Sequence, residues 1–224
     1  MSSINYENIN HFYSERYKAN GYSPKSLGWD KGKQDIRFEI LTSQYDFRGK
    51  SLLDIGCGFG DLAVFLDKRY APYHYTGIDL QACFIAEARK HHPQSYKCFE
   101  ISDVLDFSPK ESFDYAVASG TFNLALRGID KYEYLNLVFA KTFKLCRDGF
   151  AFDFLSDKVD YQLEGNFHYA PEKVLSLAYK YSRNVILRND YMPFEFALFL
   201  FKDDTFEAND TLFKKYKNER DNIQ

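Results

Sequence analysis

The stretch SLLDIGCGFGDLAVFL, residues 51–66, decides how this chain folds. It begins as a short apolar run, passes through glycines at positions 56, 58 and 60, and becomes helical in its spacing from Asp61 onward. An apolar run of this length predicts a buried strand, and the later spacing predicts a helix. Glycines between the two allow a sharp turn and a close approach of a ligand to the backbone. The stretch therefore predicts a ligand site between a strand and a helix.

The rest of the chain continues this alternation of strands and helices. Predicted strands cover residues 52–55, 73–78, 96–101, 113–118, 150–155, 185–188 and 196–201, and predicted helices cover residues 34–45, 61–68, 81–90, 131–145 and 171–181. Alternation of this kind predicts a parallel sheet with helices on both faces. The segment NDYMPFE leaves no room for a crossover helix, so the last two strands should pair antiparallel. We expect a three-layer, Rossmann-like α/β fold with seven strands, mostly parallel, the last antiparallel.

Composition and charge favour a single globular domain with appendages. Of the 224 residues, 45% are hydrophobic and the net charge is −3, which argues against a nucleic-acid partner. No apolar signal segment opens the chain, and no apolar run is long enough to span a bilayer, so we expect a cytoplasmic protein without membrane contact. We predict a helical cap or lid over residues 1–48, a ligand-binding domain over 49–202 and a charged tail over 203–224. The pattern leaves monomer and homodimer open.

The four cysteines do not suggest a metal site or a disulfide framework. No two of them have the CxxC spacing, and no histidine cluster accompanies them. We expect no metal.

A carboxylate at the end of the second predicted strand indicates the kind of ligand. Asp79 is placed where it can accept hydrogen bonds from both hydroxyls of a ribose. The glycines read GxGxG rather than the GxGxxG of dinucleotide sites, and neither Asp54 nor Asp61 suits a pyrophosphate. Asp54 instead suits a cationic group such as an ammonium. The pattern favours a nucleoside that carries an amino-acid arm and no phosphates.

With these residues the sequence resembles the class I S-adenosylmethionine-dependent methyltransferases over about residues 50–155. LLDIGCGFG looks like the first motif of that family, and GIDL looks like its ribose-binding position. FEISDVLDF and FDYAVASGTFNL look like the adenine-binding segment and the fourth strand with the segment after it. The resemblance implies S-adenosyl-L-methionine as cofactor, bound by Asp54, Gly56, Gly58, Gly60, Asp79, Leu80, Asp103, Val104, Ser119 and Gly120.

Two outer segments are similar to a group of bacterial methyltransferases of this class. They are GYSPKSLGWDKGKQDIRFEIL near the front, and HYAPEKVLSLAYKYS followed by LRNDYMPFEFALFLFK near the end. In the front segment, Gln34 and Arg37 share one helix face, and Arg37 could grip the cofactor carboxylate. Trp29 could close over the pocket, and Tyr22 belongs to the same cluster. Docking of this helix onto the core is the competing interpretation for Trp29 and Arg37.

Three residues are candidates for the chemistry itself. His168 precedes a predicted helix on the ligand edge of the sheet and could act as a general base. Tyr169 shares its segment, and Asn123 could orient the acceptor. A surface histidine and a helix cap are the competing interpretations for His168 and Asn123.

The acceptor expected from the resemblance is a small molecule with an oxygen or nitrogen nucleophile. The segment ASGTFN differs from the Asn/Asp-Pro-Pro-Tyr/Phe type, which argues against methylation of an exocyclic base amine. The absence of an acidic pair after the fourth strand argues against an aminopropyltransferase. A non-catalytic nucleoside-binding regulator and an RNA methyltransferase stay open as alternatives.

Overall fold

The computed structural model describes residues 4–29, 32–209 and 211–221. Residues 1–3, 30 and 31 of the predicted cap and residues 210 and 222–224 of the predicted tail lie outside these ranges. The strands are β1 (Ser51–Ile55), β2 (His74–Asp79), β3 (Lys97–Ile101), β4 (Phe113–Ala118), β5 (Cys146–Leu155), β6 (Val185–Arg188) and β7 (Glu195–Phe201). The helices are α1 (Glu7–Asn20), α2 (Gln34–Thr42), α3 (Asp61–Asp67), α4 (Ala82–His91), α5 (Lys131–Leu145), α6 (Pro171–Ala178) and α7 (Lys214–Asp221), with a 3₁₀ turn at Pro24–Leu27.

All seven strands form one sheet in the order β3-β2-β1-β4-β5-β7-β6. The strands from β1 to β5 pair parallel, and β7 runs antiparallel to both β5 and β6. This confirms the predicted α/β class and the antiparallel last strand. The strand order reverses beside β1, whose neighbours are β2 and β4, and ligands bind at such a switch point.

Strand β5 begins earlier than predicted. It starts at Cys146, directly after α5, although the sequence places the end of the helix near Asp148 and Gly149. Gly149 pairs with Phe201, and a Cβ at this position would lie 2.2 Å from the backbone oxygen of Leu200. The glycine therefore permits the close approach of β7 and is not a turn residue.

Aromatic side chains fill the core on both faces of the sheet. Phe150, Phe152 and Phe154 alternate along β5 toward one face, and Ala151 belongs to the cluster on the other. The helices α5 and α6 cover the first face, while α2 and α3 cover the second. Alternate residues of a strand point to opposite faces, so β5 contributes to both layers.

The two N-terminal helices are held by different forces. Helix α2 buries Phe38, Ile40 and Leu41 against the core. Helix α1 has no fully buried side chain and is held by hydrogen bonds along its length together with ring contacts of Tyr13 and Tyr17 on Phe84. The described residues include no helix that is both long and apolar enough to cross a membrane.

Replacing Phe150 by alanine tests the importance of the β5 aromatics. Phe150 is fully buried and packs on Phe139 with a ring-centroid distance of 5.2 Å. We expect Phe150→Ala to lower the free energy of unfolding by about 3–5 kcal/mol, because a cavity replaces the ring. Denaturant unfolding measures the change. Phe206→Ala, at a ring 42% exposed, is the control and should cost less than about 1 kcal/mol. Equal losses in the two variants would contradict this account.

Candidate functional site

The glycine loop after β1 is a left-handed turn tied to β2. Gly56 and Gly58 have φ angles of +72° and +55°, a region that favours glycine. The N–H groups of Gly56 and Cys57 both donate to the carbonyl of Ile78, at 2.8 and 3.0 Å. The loop therefore stays close to the end of β2, where Asp79 follows.

Asp79 is positioned directly beside the glycine loop. One carboxylate oxygen accepts from Gly58 N at 2.9 Å, and the other accepts from Gln81 N at 2.8 Å. Burial raises the pKa of Asp79 to about 6, against the effect of these backbone donors. Each oxygen keeps a second acceptor position, which a diol could occupy.

Asp54 is buried under the same loop. Only 4% of it is exposed, and it accepts a hydrogen bond of 2.5 Å from the hydroxyl of Tyr75. Burial raises its pKa to about 7, and the neighbouring carboxylates of Asp79 and Asp61 act in the same direction. A cation in the crevice would favour the ionised form of Asp54.

A crevice of about 930 Å³, part of it open to solvent, lies beyond the carboxyl ends of β1, β2 and β4. Most of the residues predicted for the cofactor line it: Gln34, Trp29, Asp54, Gly56, Gly58, Asp79, Leu80, Asp103, Val104, Ser119 and Gly120. The described lining residues include no lysine, arginine or histidine.

Helix α1 covers one side of this crevice, which the sequence did not predict in detail. Tyr6, just before the helix, donates from its hydroxyl to Asp103 at 2.7 Å. Ile9 and Tyr13 line the crevice from the helix, and Gln81 donates to Asn10 at 2.8 Å. The only sequence signal for these contacts is the presence of aromatic residues in an otherwise polar arm.

Other lining residues also escaped the sequence analysis: Thr121, Phe122 and Tyr134. They follow β4 or belong to α5. Nothing in their local pattern distinguishes them from core residues, because they meet the crevice only through the fold.

Gly60, Tyr22 and Arg37, predicted for the cofactor, lie outside the crevice lining. A Cβ on Gly60 would lie 2.9 Å from Phe99, so this glycine serves the packing of the loop. Tyr22 stacks on His91 with ring centroids 4.1 Å apart. Arg37 donates through Nε to Glu195 at 2.6 Å, forms a second contact through Nη2, and lies over the Trp29 ring. The guanidinium of Arg37 is therefore already paired with a protein carboxylate.

The three predicted catalytic residues also lie away from the crevice. His168 is 6% exposed; its Nδ1 lies 2.9 Å from the carbonyl of Ser156, and its Nε2 accepts from Leu163 N at 3.4 Å. Tyr169 is fully buried and donates to the carbonyl of Phe122. The amide oxygen of Asn123 accepts from Leu155 N at 3.2 Å. All three side chains form hydrogen bonds with backbone groups, so they hold loops together in this structure.

A carboxylate that the sequence analysis did not select lies behind the crevice wall. Asp153 of β5 is 1% exposed and accepts from Ser119 Oγ at 3.0 Å and from Gly120 N at 2.6 Å. Both donors line the crevice. An aspartate inside a predicted buried strand carries no local signal of such a role.

Comparison with known proteins identifies the family. A family model described as a methyltransferase domain matches residues 52–149. The protein Rv1506c of Mycobacterium tuberculosis (strain ATCC 25618 / H37Rv), whose name assigns it to the methyltransferases, is 30% identical over 158 residues, covering 68% of this chain and 93% of that relative. The chain belongs to the class I S-adenosylmethionine-dependent methyltransferases. The family resemblance of the sequence is thereby confirmed.

Two further comparisons place the methyltransferase among proteins of differing acceptors. A ubiquinone biosynthesis O-methyltransferase of Neisseria meningitidis serogroup C (strain 053442) is 31% identical over 100 residues, covering 38% of this chain and 41% of that enzyme. The N-methyltransferase NodS of Bradyrhizobium japonicum WM9, solved with S-adenosyl-L-homocysteine, has a TM-score of 0.62 at 18% identity, covering 86% of this chain and 98% of that one. The second comparison shows the shared fold alone.

The contact between Tyr6 and Asp103 should hold α1 against the methyltransferase core. We expect Tyr6→Phe to speed amide hydrogen exchange in α1 roughly tenfold, because a hydrogen bond to a carboxylate stabilises by about 1–2 kcal/mol. Exchange followed by mass spectrometry on α1 peptides measures the effect. Tyr179→Phe, at an exposed ring of similar size, is the control. Unchanged exchange in Tyr6→Phe would show that other contacts hold the helix.

Proposed function

We propose that this methyltransferase transfers a methyl group from S-adenosyl-L-methionine to an oxygen or nitrogen atom of a small molecule. The observation that carries the proposal is the pairing of Asp79 with the glycine loop at the switch point. It combines acceptor positions for a ribose with a loop whose Gly56 and Gly58 line the crevice. Membership of the family indicates methyl transfer, and the residues that line the crevice indicate the class of acceptor.

The residues that we assign to the cofactor can be matched to its ribose, its adenine and its amino-acid arm in turn. Asp79 would accept from the ribose and Asp103 from the adenine amino group, with Leu80 and Val104 as further contacts. Gly56, Gly58, Ser119 and Gly120 would hold the amino-acid arm, and Asp54 would supply negative charge toward its ammonium. When bound, S-adenosyl-L-methionine supplies an electrophilic methyl group on a sulfonium.

The charge of the crevice supports a small, neutral acceptor. Its described lining carries the carboxylates of Asp54, Asp79 and Asp103 and no cationic side chain. Recognition of phosphates relies on lysine, arginine or helix N-termini, so this lining argues against RNA as acceptor. The aromatic rings of Tyr13, Phe84 and Phe122 instead offer apolar surface for a small organic molecule.

The chain contributes mainly by positioning and by excluding water. An acceptor held in line with the methyl group gains much of its rate from orientation alone. The first part of the predicted cap, from Tyr6 through helix α1, acts as a lid in this proposal, because Tyr6, Ile9 and Tyr13 close one side of the crevice. We do not assign the role of general base to His168, since both of its ring nitrogens contact backbone groups.

Calorimetry with S-adenosylmethionine, S-adenosylhomocysteine and NADH tests cofactor choice. We expect the first two to bind and NADH not to bind. Asp79→Ala should weaken binding more than tenfold, because two hydrogen bonds from the ribose to a carboxylate are lost. Asp160→Ala, at an exposed loop aspartate, is the matched control and should bind as the unchanged protein does. Equal affinity in Asp79→Ala would refute the ribose role, and binding of NADH alone would refute the cofactor.

Transfer of a labelled methyl group tests the acceptor class. The protein is incubated with labelled S-adenosylmethionine and, separately, with pools of neutral small molecules, pools of anionic small molecules and total RNA. We expect label in the neutral pool, because the described crevice lining lacks a cation to offset acceptor charge. Label confined to RNA would refute the small-molecule proposal while leaving the methyltransferase assignment intact.

A further inference from the structure

The strongest unexplained feature near the crevice is the buried carboxylate of Asp153. It is 1% exposed, yet it lies one hydrogen bond away from two crevice-lining residues, Ser119 and Gly120. Burial of a charged carboxylate is costly unless the group is paired and hydrogen-bonded. Two hydrogen bonds satisfy Asp153 in part and aim it toward the crevice.

Charged and titratable groups surround Asp153 from two other elements. Arg37 of α2 and Glu195 of β7 form an ion pair with each other, with side chains 13% and 11% exposed, and Tyr191 precedes β7. Glu195 raises the pKa of Asp153 and Arg37 lowers it, while burial is the largest influence and brings it to about 7. Glu195 forms the ion pair with Arg37, so Asp153 shares the charge of this guanidinium with a second carboxylate.

A methyl transfer changes the charge beside this carboxylate. A neutral O–H or N–H acceptor gains the methyl group and loses one proton, and the sulfur keeps the electron pair of the broken bond, so the positive charge on it disappears. The loss of a cation beside a buried carboxylate leaves the charge of that carboxylate uncompensated. A proton taken up by that carboxylate removes the imbalance.

We propose that Asp153 is a positioning residue that balances the positive charge of the bound methyl donor and receives, through the Ser119 hydroxyl, the proton that the acceptor releases. This inference rests on the proposed function. The acceptor proton passes to Ser119 Oγ while the hydroxyl proton of Ser119 passes to Asp153 Oδ2, along the existing 3.0 Å hydrogen bond. One proton enters the pair, one carboxylate becomes a carboxylic acid, and no further reactant is needed.

Proton release on cofactor binding tests this assignment without an acceptor. The binding of S-adenosylmethionine and of S-adenosylhomocysteine is measured by calorimetry at pH 7 in two buffers of different ionisation enthalpy. We expect the cationic donor to release a larger fraction of a proton than the neutral product does, because burial raises the pKa of Asp153 and a cation favours its ionised form. In Asp153→Asn this difference between the two ligands should shrink.

The variant Asp153→Asn keeps the size of the side chain and an oxygen that accepts from Gly120 N. A merely structural role would lower stability and leave the proton difference unchanged, which would overturn the proposal. Asp160→Asn is the control and should release protons as the unchanged protein does. If neither ligand binds the unchanged protein, the proposed function fails; if both bind and the difference persists in Asp153→Asn, only this inference fails.

The pH dependence of the unchanged protein gives a second test if Asp153→Asn does not fold. The ionised carboxylate favours the cationic donor, so the ratio of donor to product affinity should rise by up to about tenfold as pH increases from 5.5 to 8.5. A ratio that stays flat across this range would overturn the proposal.

Discussion

The turn between β1 and α3 is the constraint on which the crevice depends. Three backbone N–H groups of this turn are held by the end of β2: two by the carbonyl of Ile78 and one by the carboxylate of Asp79. These bonds join the carboxyl ends of the two central strands before any ligand arrives. Because Gly56 and Gly58 adopt positive φ angles, a side chain at either position would strain the turn. The Asp79 carboxylate and the crevice-lining backbone are thus preorganised by one another.

Buried acidity is the second feature of the site. Burial raises the pKa values of Asp54 and Asp153 to about 7 and that of Asp79 to about 6. Such carboxyls weaken the fold as they ionise with rising pH, because the folded state holds their protons more tightly than the unfolded chain does. A cationic ligand offsets that cost by stabilising the ionised forms. The buried carboxylates give the crevice an excess of negative charge, which favours a positively charged sulfonium over a phosphate.

The two N-terminal helices divide the tasks of anchoring and covering. Helix α2 is fixed by buried apolar side chains and by the ion pair between Arg37 and Glu195. Helix α1 contacts the core through hydrogen bonds such as the one from Tyr6 to Asp103 and through half-buried rings such as Tyr13, and a helix without fully buried side chains opens at a smaller cost than a buried one. A firmly packed helix beside a half-buried cover suits a site that must admit two ligands.

Local pattern in the sequence was sufficient for the strand and helix order, the antiparallel last strand and the pairing of the glycine loop with Asp79. These features depend on neighbours along the chain, where periodicity and glycine placement act directly. Tertiary structure alone decided the partners of side chains far apart in sequence. His168 meets the backbone of Ser156, Arg37 meets Glu195, and Asp153 meets Ser119. A residue's chemistry depends on which group it faces, and that is settled by strand order and helix packing across the whole sheet.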